Sequence, residues 1–157
     1  MVFILCLTNL RLVVDAVCLF SLKNERLTCW VFFFFLVHQQ YHFINKSLTW
    51  YEAQSFCRLK YTDLATINNM DDENRLINTL GSNVTSSWIG LYNGQTNRWL
   101  WSDGSGIASF TQWSPDEPNN SGGNESCGEM YDNGLWNDAS CEFAMAYVCN
   151  QTALLPC

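Results

Sequence analysis

The sequence predicts an α+β domain in which two amphipathic helices are followed by short strands and one long irregular loop. Three observations carry this expectation. Apolar residues recur at helical spacing only between Thr49 and Leu80. After Gly81 the chain turns to short aromatic runs with β character. Residues 104–125 are then rich in Gly, Ser, Asn and Pro and carry little regular pattern, and long irregular loops inside compact domains are usually functional.

The elements follow in order. In "QYHFI", Tyr41 and Phe43 alternate as on a half-buried strand. "TWYEAQSFCRL" reads as a helix, with Thr49 and Glu52 at capping-box spacing and Trp50, Ala53 and Cys57 on one face. "DLATI" is a short strand. In "NNMDDENRLINTLG", Asp71, Asp72 and Glu73 suit a helix N-terminus. Leu76, Ile77 and Leu80 form its apolar face, and Gly81 is the expected stop. "SSWIGLY" and "RWLWSDG" are strands joined by the turn "NGQTN". The segment from Cys127 to Cys149 reads as strands around the turn Asp132-Asn133-Gly134.

At 157 residues, 48% of them hydrophobic, the chain can build one packed core. Its net charge of −7 excludes nucleic acid and anionic membrane as main partners, because both require Lys and Arg. Catalysis is not expected. The two histidines are His38 and His42, near the N-terminus, and no nucleophile elbow, phosphate loop or H-E-x-x-H motif is present.

Eight cysteines point to an oxidising compartment, although their spacing leaves many pairings open. Five N-x-[ST] sequons, at Asn45, Asn83, Asn119, Asn124 and Asn150, suit a secreted or cell-surface chain. Residues 1–39 read differently from the rest: "MVFILCLTNLRLVVDAVCLF" is apolar but interrupted by Arg11 and Asp15. The segment is either a leader or anchor or mispredicted, translated non-coding sequence, and it is set aside from fold reasoning. The expected domain is residues 40–150, with 151–157 as a tail.

Trp50, Ala53 and Cys57, then "WIGL" at 88–91, "WLWSDG", "EPN" at 117–119, Cys127, "WND" at 136–138, Cys141 and "AYVC" ending at Cys149 together resemble the C-type lectin-like domain family. The resemblance spans about Tyr41 to Asn150. It implies the family fold, two helices packed on short antiparallel strands with a long calcium-binding loop. It also implies the disulfides Cys57–Cys149 and Cys127–Cys141. Gln40 stands where the long form of the domain has an extra cysteine, so the short form is implied. Cys6, Cys18, Cys29 and Cys157 have no family role.

The loops offer a coherent ligand set. Calcium takes six to eight hard oxygens, and Glu117, Asn119, Glu125, Asn137 and Asp138 supply three carboxylates and two amides. The resemblance implies a cis peptide before Pro118, the isomer that only X-Pro makes readily accessible. Glu117, Asn119, Glu125 and Asn137 also retain atoms that can accept from or donate to sugar hydroxyls. The order acid-Pro-amide resembles the mannose-type triplet, implying mannose, N-acetylglucosamine or fucose-like glycans as partners. Asn120 and Ser126 stand where relatives with an auxiliary calcium site carry acids, so one calcium is expected. Trp88, Trp99, Trp101, Trp113 and Trp136 are expected in the core rather than against sugar. The competing function is a protein-recognition module on the same fold without sugar binding.

Overall fold

The computed structural model describes residues 35–81 and 84–156. The chain divides into two units, Gln40–Gln151 and a smaller one comprising Met1–Gln39 and Thr152–Cys157. The larger unit carries both helices, the core and all the expected ligands. Cys6, Cys18, Cys29, Cys157 and the Asn83 sequon lie outside the described residues. Among the described residues no helix is long and apolar enough to cross a membrane.

Strand β1 (Phe35–Leu48) leads into helix α1 (Trp50–Lys60). Both halves of the expected capping box form: Thr49 Oγ1 accepts from Glu52 N, and Glu52 Oε2 accepts from Thr49 N at 3.0 Å. The buried face is Trp50, Ala53 and Cys57, as their spacing predicts. Strand β2 (Asp63–Leu64) is shorter than "DLATI", but the chain stays buried through Ile67. Ala65 continues the ladder through N–H donation to Val148 O at 2.8 Å.

Helix α2 (Met70–Ile77) is capped by Asn69, whose side chain accepts from Asp72 N. It stops short of Gly81. Thr79 N and Leu80 N donate to carbonyls three residues back, Leu76 O and Ile77 O, so the last turn tightens instead of continuing. A Cβ at Gly81 would lie 3.5 Å from the Phe43 ring, an ordinary van der Waals contact, so packing does not require glycine there. The acids at the helix start do more than suit its N-terminal end. Asp72 pairs with Arg75 at 2.6 Å and accepts from Asn68 N. Glu73 is buried, and burial pushes its carboxyl above the usual range.

The remaining strands are β3 (Ser86–Asn93), β4 (Trp99–Trp101), β5 (Gly106–Ile107), β6 (Cys127–Tyr131), β7 (Trp136–Ala139) and β8 (Met145–Pro156). In the sheet β1 lies beside β8, β8 beside β3, and β3 beside β4. On β3 a second antiparallel ladder to β6 carries β7 outward as a hairpin. Its turn includes Gly134 at φ 88°, a left-handed conformation open to glycine. Any Cβ there would also stand 2.8 Å from Ile77 Cδ1. Strands β1 and β8 extend beyond residues 40 and 150.

Two clusters of buried side chains form the core. One gathers Ile67, Leu76, Ile89, Trp101, Met130 and Trp136; the other gathers Trp50, Ala53, Leu64, Trp88 and Tyr147 around the cystines. Trp88, Trp101 and Trp136 are buried, and Trp99 and Trp113 pack partly buried against the first cluster. All five tryptophans thus belong to the core. Asn150 is also buried, and its Oδ1 accepts from Asp63 N at 3.2 Å.

Cys57 bonds to Cys149 and Cys127 to Cys141, with sequence separations of 92 and 14. The longer loop restricts the unfolded chain more, giving about 4–5 kcal/mol against about 3 kcal/mol in the chain-entropy model. Replacing Cys57 and Cys149 by Ala should therefore lower the denaturation midpoint more than replacing Cys127 and Cys141. Equilibrium urea titration reads the difference, and equal midpoints would contradict the loop-length account.

Candidate functional site

The site is built where the long loop meets the β6–β7 hairpin. Strand alternation explains how β7 serves both core and surface. Trp136 points into the core, Asn137 is half-buried on the other face, and Asp138 is buried again. Backbone bonds tie the loop to this strand: Trp136 N donates to Gln112 O at 2.7 Å, and Ser114 N donates to Trp136 O at 2.8 Å.

Beyond that anchor the chain reverses tightly. Asp116 and Asn120 adopt positive φ, 67° and 47°, a conformation that Asp and Asn tolerate better than other side chains. The Glu117–Pro118 peptide between them is cis, as the resemblance implies. Asp138 then clamps the triplet. Its Oδ1 accepts from Asn119 N at 3.0 Å and its Oδ2 from Asn120 N at 2.8 Å. Both bonds are charge-assisted, the stronger kind.

Within the triplet Asn119 folds onto Glu117, with Nδ2 donating to Oε1 at 2.8 Å. Glu125 is held by the loop itself: its N donates to Asn120 Oδ1 at 2.9 Å, and its Oε2 accepts from Ser121 N at 2.6 Å. Asn120, expected only to mark a missing auxiliary site, is therefore a structural link between the clamp and Glu125. Asn137 turns to the neighbouring strand, its Nδ2 donating to Glu129 Oε1 at 2.9 Å.

The acids of the site act on one another. Burial, a hydrogen bond shared with Asp138 and repulsion from Asp138 push the Glu117 carboxyl up, with Glu125 adding to the repulsion. Backbone donation from Asn119 opposes the rise. Tyr131 is raised too, by burial and then by Glu129, Glu117 and Glu125. No three His, Cys, Asp or Glu side chains form a metal cluster among the described residues. What gathers here is a mixed set of carboxylates and side-chain amides, the donor chemistry of calcium rather than of zinc. A dication would relieve the repulsion that raises Glu117.

Glu129 lies outside the motifs that carry the resemblance. The signal that finds it is the hairpin: counting back from the Asp132-Asn133-Gly134 turn sets Glu129 opposite Asn137, the register observed. Asp103 is a turn residue, accepting from Thr66 Oγ1 and Ser105 N.

The clamp predicts slow amide exchange at Asn119 and Asn120. Removing it with Asp138→Ala should speed exchange there about tenfold or more, the equivalent of one charged-group hydrogen bond of about 1.5–3 kcal/mol. Exchange at Ile89 in the core should stay as it was. Unchanged rates at Asn119 and Asn120 would mean that the loop holds its shape without Asp138.

Comparison with known proteins agrees with this architecture. The Lectin C-type domain family matches residues 46–151. L-selectin of Rattus norvegicus is 34% identical over 74% of this chain and 33% of its own length. The chain thus spans about a third of that relative. Among solved structures, the C-type lectin CEL-I from Cucumaria echinata superposes with a TM-score of 0.67 at 25% identity, covering 74% of this chain and 91% of that one. The cow C-type carbohydrate-recognition domain of CD23, studied in the presence of a GlcNAc2Man3 oligosaccharide, gives a TM-score of 0.66 at 29% identity over 76% and 90%. The names of these and other relatives describe lectins, a carbohydrate-recognition domain and an immunoglobulin epsilon Fc receptor. With its matched segment, its cystines and its loop architecture, the chain belongs to the C-type lectin domain family.

Proposed function

We propose that this domain binds mannose-type glycans through one calcium ion held by Glu117, Asn119, Glu125, Asn137 and Asp138. The observation that carries the reading is the convergence of Glu117 and Asp138 on one backbone N–H: Asn119 N donates to Glu117 Oε2 at 3.1 Å and to Asp138 Oδ1 at 3.0 Å. Carboxyls so arranged call for a cation. When bound, calcium supplies a hard centre with coordination positions open to two vicinal hydroxyls. The protein's own groups do the rest. Glu117 and Glu125 accept from those hydroxyls, and Asn119 and Asn137 donate to them. That division of donors and acceptors favours equatorial 3- and 4-hydroxyls, as in mannose and N-acetylglucosamine, or an equivalent pair on fucose. The mannose-bearing oligosaccharide used with the related CD23 domain supports the same class. An extracellular setting, secreted or at the cell surface, fits the cystines and sequons.

The direct test is retention on immobilised mannan with calcium, and its loss on chelation. Binding that survives EGTA would favour protein recognition instead. The pH dependence is specific. Glu117 titrates above its ordinary 4.5, so without calcium its contribution to stability is present in acid and lost as pH rises through the raised value. Adding calcium requires the ionised form, and protons compete with it. The rise in Tm on adding calcium to chelator-stripped protein should therefore be largest near neutral pH. It should shrink on acidification, starting above pH 4.5. A calcium effect independent of pH would place the ion elsewhere.

Specificity offers a second check. Glu117→Gln with Asn119→Asp keeps one acid and one amide, so calcium should still bind. Position 117 gains a donor and position 119 loses one. Each mismatched polar group costs about 1–3 kcal/mol, so most mannose binding should vanish and some galactose binding emerge on a glycan array. A variant that holds calcium and keeps its mannose affinity would refute this placement of the sugar.

A further inference from the structure

Glu129 lies outside the five-residue set, on β6 rather than on the loop. It is 7% exposed and faces Asn137 directly across the β6–β7 ladder. Asn137 Nδ2 donates to its Oε1 at 2.9 Å. We propose that Glu129 is a positioning residue that fixes which end of the Asn137 amide faces the ligand. The inference rests on the calcium-site reading above.

A side-chain amide has a donor end and an acceptor end of nearly the same shape. A carboxylate only accepts. Of the two flips open to Asn137, one makes a hydrogen bond to Glu129. The other sets oxygen against oxygen at a buried position, where an unpaired polar group is costly. With Nδ2 committed to Glu129, Oδ1 occupies the opposite end of the amide, the atom a hard cation requires. One N–H remains for a sugar hydroxyl.

The neighbouring ligand shows the complementary arrangement. Asp138 is acceptor-only, and the loop meets it with two donors, Asn119 N and Asn120 N. Asn137 needs an acceptor, and β6 provides one. A single ladder register, Glu129 with Asn137 and Gly128 with Asp138, sets both residues. Groups that orient metal ligands typically cost 10–100-fold in metal affinity when removed.

Calcium titration calorimetry on the wild type and three variants separates positioning from charge. Glu129→Ala should weaken calcium binding about tenfold or more. Glu129→Gln, whose amide oxygen still accepts, should lose less. Glu129→Asp keeps the charge but not the reach, and should fall with the alanine variant. If Glu129 acts only through its charge, Asp will behave as wild type and Gln as Ala, and the positioning role is overturned.

A second measurement needs no calcium and no folded variant. In the metal-free wild type the two Asn137 side-chain N–H resonances should be widely split and slow to exchange. Values of a freely hydrated amide would also overturn the proposal. Bonded resonances in a wild type that takes up no calcium would locate the failure in the calcium-site reading, and the positioning role would fall with it.

Discussion

The arrangement of this domain depends on what β7 must do with four consecutive residues. Trp136 fills the core while its backbone N–H and C=O hold Gln112 and Ser114 of the long loop. Asn137 faces β6, and Asp138 gathers the backbone N–H groups of Asn119 and Asn120. Ala139 returns to the core beside the cystines. One strand therefore joins hydrophobic core, loop anchor and polar site. The period-two geometry of the strand makes this possible, because it sends adjacent side chains to opposite faces. A shift of one residue would turn Trp136 and Asp138 to the face that Asn137 and Ala139 now occupy, and the reverse.

The covalent links act on the same economy of positions. Cys127 and Cys141 close the hairpin at its base, next to the residues that carry Asn137 and Asp138. Cys57 and Cys149 join α1 to β8 beneath the second core cluster. The loop packs Phe110 and Trp113 against the core, and beyond them its shape is held by hydrogen bonds to carboxylates and to strand backbone. Its acids are thus part of its architecture as well as candidates for its chemistry. The Glu117 carboxyl is raised by burial first and then by the neighbouring Asp138 and Glu125.

Much of this was legible in the sequence where the determining interactions are local. Thr49 and Glu52 announce the start of α1 because a capping box needs only residues three apart. Asp132-Asn133-Gly134 announces the hairpin because the turn needs a left-handed glycine. The ligand candidates were legible as motifs, and the family resemblance named their cystines. Other features rest on partners distant in sequence. Asp72 and Glu73 read as helix-start acids, yet their burial depends on Arg75 and on the packing of Gly134 against α2. The end of α2 at Ile77 was misread because Gly81 looks like a stop signal, whereas the turn had already tightened to three-residue bonds. Glu129 lies in no motif of the resemblance, because its role depends on the residue across the ladder.

Asn150 gives one further consequence. It begins an N-x-T sequon, yet its side chain is enclosed and its Oδ1 holds Asp63 N at the β2–β8 junction. Attachment of a glycan uses the amide nitrogen of the same side chain, which would then have to leave the interior. For a chain made in the secretory pathway, modification and closure of this junction are rival fates of one residue. The order of events during synthesis, rather than the equilibrium stability of the finished domain, would decide which molecules reach the native state. Asn150 lies one residue after Cys149, so the same moment of closure also governs when Cys149 meets Cys57.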